Sequence, residues 1–169
     1  MTNTPAITMD DKAAILLEEA RAAHENYLIK QQDADLEKAI EYYIDAIKVN
    51  PSISESYYRL ASLLLMKGQI SIEGALEQCQ TALTLEPNNV NAHIYSGYFQ
   101  CLNGNFEEAE KEFKLAVSNS GKNSARPRLF LSKVLFSRIK NHDSSVKDVM
   151  KFLYYFLSGS MMIMWDCPS

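Results

Sequence analysis

This chain of 169 residues lacks most of the side-chain groupings on which enzymes and metal sites are built. Its three histidines, His24, His93 and His142, lie far apart, and none has a second His or Cys at ligand spacing. That argues against a zinc site and against a His-centred nucleophile pair. Three cysteines are an odd count from which no even disulfide framework can be drawn, so a reducing, cytoplasmic setting is the simpler expectation. No glycine-rich phosphate loop is present. The opening MTNTPAITMD has neither the basic start nor the apolar run of a secretory signal, and residues 1–10 read as a flexible lead-in. Positive charge is also short: 17 Lys and Arg against 21 Asp and Glu leave a net charge of -4, which disfavours a phosphate-backbone partner. The expectation is a non-enzyme with no catalytic residue, no cofactor, no metal and no nucleic acid.

What the chain does have is repetition. Ala39, Tyr43, Ala46 and Pro51 recur as Ala75, Cys79, Ala82 and Pro87, and again as Ala109, Phe113 and Ala116, with a step of 36 residues and then 34. A period in the range of about 20 to 50 residues marks stacked supersecondary units. Helical periodicity fills each unit. Asp10 and Asp11 precede the run Ala13, Ile15, Leu16, Leu17, Ala20, Ala23, which predicts a helix over about 11–31 with an acidic N-cap. A polar break at Asp33 to Asp35 leads to a second helix ending at Asn50-Pro51, because proline cannot continue a helix and displaces the residue before it. Helices follow over about 54–67 and 72–85, with Gly68 as the left-handed stop. The turn from Gly68 to Ala75 is two residues longer than that from Gly104 to Ala109, which accounts for the longer first step. Ser118 to Ser124 reads as a linker, and a fourth pair is expected over about 125–139 and 144–157 without the alanine signature.

Gly97, Gly104, Phe106, Ala109, Phe113 and Ala116 stand in the order small, turn, aromatic, small, aromatic, small, and with this signature the chain resembles the tetratricopeptide repeat family. The resemblance implies an all-α, right-handed solenoid of helix-turn-helix repeats over about 11–51, 52–87 and 88–121, closed by a divergent pair at 125–157. The whole is read as one domain, 11–157. It also implies a binding function, since a stack of helix pairs offers a concave surface to a protein or peptide partner. Family groove positions, the second, fifth, ninth and twelfth of each leading helix, fall on Glu55, Tyr58, Ser62 and Leu65, on Asn91, Ile94, Tyr98 and Cys101, and on Arg126, Leu129, Lys133 and Phe136. The family's clamp for a C-terminal carboxylate uses Lys and Asn at the fifth and ninth positions. Tyr58, Ser62, Ile94 and Tyr98 stand there instead, so that clamp is not expected. His93 takes the large-residue position held by Tyr57 one unit earlier and reads as a packed histidine.

Charge and the C-terminus add two further expectations. Lys and Arg gather between Lys111 and Lys151, and Arg126, Arg128 and Lys133 share one leading helix, where they would attract an acidic segment. Residues 149–165 are almost wholly apolar, but Lys151 and the Ser158-Gly159-Ser160 joint interrupt them, and 17 residues are marginal for a bilayer of about 30 Å. Membrane contact is therefore the lesser expectation. Met161, Met162, Ile163, Met164 and Trp165, within the tail 158–169, read as an interface for a second copy, a partner or a following repeat. Three roles remain open: an adaptor or assembly scaffold, a dedicated chaperone for an apolar client, and the N-terminal recognition region of a larger protein.

Overall fold

The computed structural model describes residues 8–121, 124–140 and 155–156. Within them every regular element is a helix: α1 (Met9–Lys30), α2 (Asp33–Val49), α3 (Ser54–Met66), α4 (Ile72–Leu85), α5 (Val90–Leu102), α6 (Phe106–Asn119) and α7 (Ala125–Lys140). The chain divides into two compact units, Met1–Leu85 and Glu86–Ser169, the boundary falling where the second repeat ends.

In the first unit α1 is antiparallel-paired with α2 and α3 with α4 through short turns, and α2 also packs on α3. Its core gathers Ala20, Ala23, Leu36, Ala39, Ile40, Tyr43, Leu60 and Leu63. In the second unit α5 pairs with α6, α7 packs on both, and the core holds Ile94, Ala109, Phe113, Ala116, Leu131, Val134 and Leu135. The recurring positions occupy the helix interfaces. Ala39, Ala75, Ala109, Ala46, Ala82 and Ala116 are all fully buried, as are Tyr43 and Cys79, with Phe113 only 1% exposed. Alanine lets backbones approach, and the residue between each pair of alanines fills the remaining space.

The turns repeat as well. After α3, Gly68 takes φ 67° and Gln69 N–H donates to the Leu64 carbonyl at 2.9 Å; after α5, Gly104 takes φ 78° and Asn105 N–H donates to Gln100 at 2.9 Å. Both are left-handed closures of a helix C-terminus. Helix α4 then begins four residues after Gly68, whereas α6 begins two after Gly104, so the extra length of the first step lies in the Gln69–Ser71 turn. Gly97 serves closeness instead of turning: a Cβ there would lie 2.9 Å from the Phe113 ring.

Several boundaries differ from the sequence expectation. Helix α1 begins at Met9, so the end of the expected lead-in is helical, and its N-cap is Thr8 instead of an aspartate. Asp11 sits at the third helical position, accepting from the Thr8 backbone N–H at 3.0 Å while Thr8 Oγ1 accepts from Asp11 N–H at 3.1 Å. This reciprocal box satisfies two orphan donors, which a lone Asp at position 10 or 11 would not. The break before α2 is confined to Gln31 and Gln32, with Gln31 left-handed at φ 53°, and Asp33 and Asp35 lie in the first turn of α2, where acidic side chains suit the helix dipole. Ser118 and Asn119, expected in the linker, complete α6. Of the expected helix 144–157 only Tyr155 and Phe156 are described, both helical; the rest of it, the first seven residues and the tail 158–169 with Met161 to Trp165 lie outside the described residues.

Candidate interaction face

The expected groove positions in the two units have different surroundings. In the first, Glu55 on α3 is half-buried between two arginines. Arg21 Nε on α1 donates to its Oε1 at 2.9 Å and Arg21 Nη2 reaches its Oε2, while Arg59 Nε lies 2.6 Å from Oε1. Glu18 adds a second carboxylate to Arg21 at 2.5 Å. Burial alone would raise the Glu55 carboxyl, but the Arg21 hydrogen bond and the charges of Arg59 and Arg21 outweigh it and hold the group below its ordinary value. The Arg21 guanidinium is correspondingly pushed further up. Tyr58 is 2% exposed, and Ser62, whose Oγ donates to the Arg59 carbonyl at 2.8 Å, and Leu65 are half-buried. This wall is paired and filled from within.

The second unit is open. A cavity of about 490 Å³ is lined by Arg126, Leu129, Phe130, Ser132, Lys133, Phe136 and Phe156. A second, of about 280 Å³, is lined by Tyr98, Cys101, Phe106, Phe113, Phe130, Lys133 and Val134. Phe130 and Lys133 border both. Phe130 is fixed by stacking on Phe113, with centroids 5.5 Å apart and planes 11° from parallel, and Lys133 Nζ sits 5.6 Å from the Phe130 centroid. That distance is within cation–π range. Arg126 and Lys133 are exposed, and among the described residues neither has a carboxylate partner. Burial pushes the Cys101 thiol up, away from the reactive thiolate.

Of the twelve residues expected on the groove, six come together at these cavities: Tyr98, Cys101, Arg126, Leu129, Lys133 and Phe136. Ile94 does not; it is 6% exposed and belongs to the core of the second unit, and Asn91 is half-buried away from both cavities. Phe106, Phe130 and Phe156 were not among the expected residues. The importance of Phe130 comes from a stack with Phe113 seventeen residues earlier, which no local pattern announces.

The two described histidines, His24 and His93, are packed into the helix interfaces. His93 is 6% exposed, with Nδ1 2.7 Å from Glu112 Oε2 and Nε2 3.0 Å from the Pro87 carbonyl. Both partners accept, so the doubly protonated ring satisfies both, and the Glu112 hydrogen bond chiefly, aided by Pro87, raises its pKa against the opposing effect of burial. The equivalent Tyr57 makes the same link, its hydroxyl donating to the Pro51 carbonyl at 2.8 Å. His24 is the opposite case: it is 7% exposed, its Nδ1 has no partner, and burial together with the charge of Arg59 pushes its pKa down. Among the described residues there is no group of His, Cys, Asp and Glu able to hold a metal, and no helix long and apolar enough to cross a membrane.

A tetratricopeptide repeat family profile matches residues 28–53, which span the end of α1, all of α2 and the turn after it. The fold is that of tetratricopeptide repeat solenoids. Solved structures with this fold cover most of the chain. The first tetratricopeptide domain of Spaghetti (RPAP3), bound to the HSP90 peptide SRMEEVD, is similar at TM-score 0.61 and 19% identity, covering 75% of this chain and 94% of that one. MamA is similar at TM-score 0.63 and 16% identity over 90% of this chain and 78% of its own. The TPR2B domain of yeast Sti1, in its pHsp70 complex, aligns at TM-score 0.58 and 23% identity over 73% of this chain and 99% of that domain. At these identities the likeness is one of fold.

Proposed function

We propose that this tetratricopeptide protein is a non-catalytic interaction module, an adaptor or assembly scaffold, that takes a protein or peptide segment on the concave face of its second unit. The observation that carries this reading is the pair of open, mostly apolar cavities that share Phe130 and Lys133. Aromatic walls supply large contact area at low entropic cost, and cations beside them add orientation. One of the similar domains was solved with an HSP90 peptide and another in a pHsp70 complex, which supports a segment as the ligand class. A cytoplasmic location accords with three cysteines, an odd count from which no even disulfide framework can be drawn.

The partner itself is obtained by affinity capture from the source cell with identification by mass spectrometry. Tyr98 and Phe136 are exposed, at 46% and 53%, so their loss should leave the core alone. Tyr98→Ala and Phe136→Ala are expected to weaken capture by more than about 1 kcal/mol each where the side chain anchors the segment. Thermal stability should move by no more than about 0.5 kcal/mol. Unchanged capture in both variants would remove this face from the account. The apolar lining also favours a chaperone for an apolar client; in that case the isolated partner aggregates alone and stays dispersed when this chain is present.

A further inference from the structure

The two cavities are adjacent, and the ridge between them is built from Phe130 and Lys133, each of which borders both. A segment lying across this ridge meets, in order, an apolar hollow, a cation on an aromatic ring, and a second apolar hollow. On the reading of the concave face given above, we infer that the occupant is a segment with an acidic side chain between two large apolar ones, the carboxylate pairing with Lys133 and one apolar side chain entering each cavity.

Charge complementarity carries the choice. Lys133 and Arg126 are exposed, and no carboxylate among the described residues neutralises either, whereas Arg21 and Arg59 in the first unit already hold Glu55. A basic segment would meet like charge at the ridge and at the rim of the larger cavity. A wholly apolar one would cover the Lys133 ammonium without replacing its water, at a cost that a carboxylate avoids. Phe130 is stacked on Phe113 and its ring centroid lies 5.6 Å from Lys133 Nζ, so the cation stands at a defined place between the hollows. The acidic group belongs within the segment, with chain continuing on both sides, because cavities lie on both sides of the ridge.

The test is a display library of twelve randomised residues held between constant linkers, so that no free terminus is offered, panned against the full chain. Enriched segments should carry Asp or Glu flanked on both sides by large apolar residues. A consensus peptide made from them should bind Lys133→Glu at least tenfold more weakly, while Lys133→Glu used as bait should select Lys or Arg at the middle position. Enriched segments that are apolar with no acidic preference, or that bind Lys133→Glu as well as the native chain, overturn the inference while leaving the concave-face reading standing if Phe136→Ala abolishes their binding. Enriched segments indifferent to both Tyr98→Ala and Phe136→Ala overturn both. Enrichment only on a chain ending at Ser160 would make Met161 to Trp165 the occupant. A light-scattering dimer dissolved by Phe136→Ala would make it a second copy. Either result replaces the acidic segment.

Discussion

The two units share one packing recipe and diverge on the face it leaves over. Ala39, Ala46, Ala75 and Ala82 in the first do what Ala109 and Ala116 do in the second, and all are fully buried. At the expected groove positions the first unit spends its cations on Glu55, while the second leaves Lys133 and Arg126 exposed beside two cavities. A repeat therefore conserves its interior because geometry demands it, and its outer positions are free to become either structure or recognition. Residue type at a groove position does not reveal which. Glu55 and Lys133 are both charged residues at expected groove positions, and only the surroundings separate them.

The largest effect should come from exchanging the small residue of the leading helix. Ala61 and Gly97 hold this position, the first with a Cβ already accommodated at no exposure and the second with its would-be Cβ 2.9 Å from Phe113. Gly97→Ala should overpack the α5–α6 interface and cost about 1–3 kcal/mol, despite the gain in helix propensity. The reverse change, Ala61→Gly, should cost about 0.5–1 kcal/mol through backbone entropy, plus whatever the small void forfeits. Chemical denaturation of both variants checks the order. A stabilising Gly97→Ala would mean that the Phe113 ring can move aside and that the close approach does not govern this interface.

Much of this was legible beforehand because alanine at a fixed step has few meanings. Nine buried positions follow from one spacing, and Gly68 and Gly104 follow from the need for a left-handed closure. The Thr8 cap was also encoded, as threonine followed three residues on by an acid, but the neighbouring Asp10 and Asp11 offered a plainer signal and displaced it. Long-range pairing was not legible. Register places Glu55 on the groove, yet Arg21 comes to it from 34 residues away, and nothing local tells a free carboxylate from a clamped one. Tyr58 and Ile94 fell on groove positions by the same register, and burial decides against a ready contact role for their side chains as placed. Phe156 and Phe130 needed the tertiary structure to be seen together.

An intermediate effect should follow from neutralising the two charges compared above. Glu55→Gln leaves Arg21 and Arg59 half-buried with a weaker acceptor between them, and about 1 kcal/mol or somewhat more of stability should go with it. Lys133→Gln removes an exposed charge with no carboxylate partner among the described residues and should stay within about 0.5 kcal/mol. In segment binding the ranking should invert, with Lys133→Gln the more damaging. Thermal midpoints and titration of a bound acidic peptide, measured on the same two proteins, decide it. Equal stability losses would make Lys133 a structural charge and erase the contrast between the units.

The smallest effect separates the units by pH. His93 in the second unit has its pKa raised above the ordinary 6.5, so the folded state binds the proton more tightly than the unfolded one. Its contribution is fully present below about pH 6.5 and is lost as pH climbs through the raised folded value. His24 in the first unit has its pKa lowered, so folding favours the neutral ring. The unfolded chain then takes up the proton first, and stability falls as pH drops from about 6.5 toward the lowered folded value. Together the two place a shallow optimum near the ordinary imidazole range. His93→Tyr, which restores the donor that Tyr57 uses toward Pro51, should flatten the alkaline limb, and His24→Leu should flatten the acid limb. Each substitution should leave the other limb in place, because the two rings lie in different units with different partners. Melting curves between pH 5 and about 8.5 read both slopes. If His93→Tyr leaves the alkaline limb as steep as before, the Glu112 and Pro87 bonds are not holding a charged ring, and His93 packs as a neutral one.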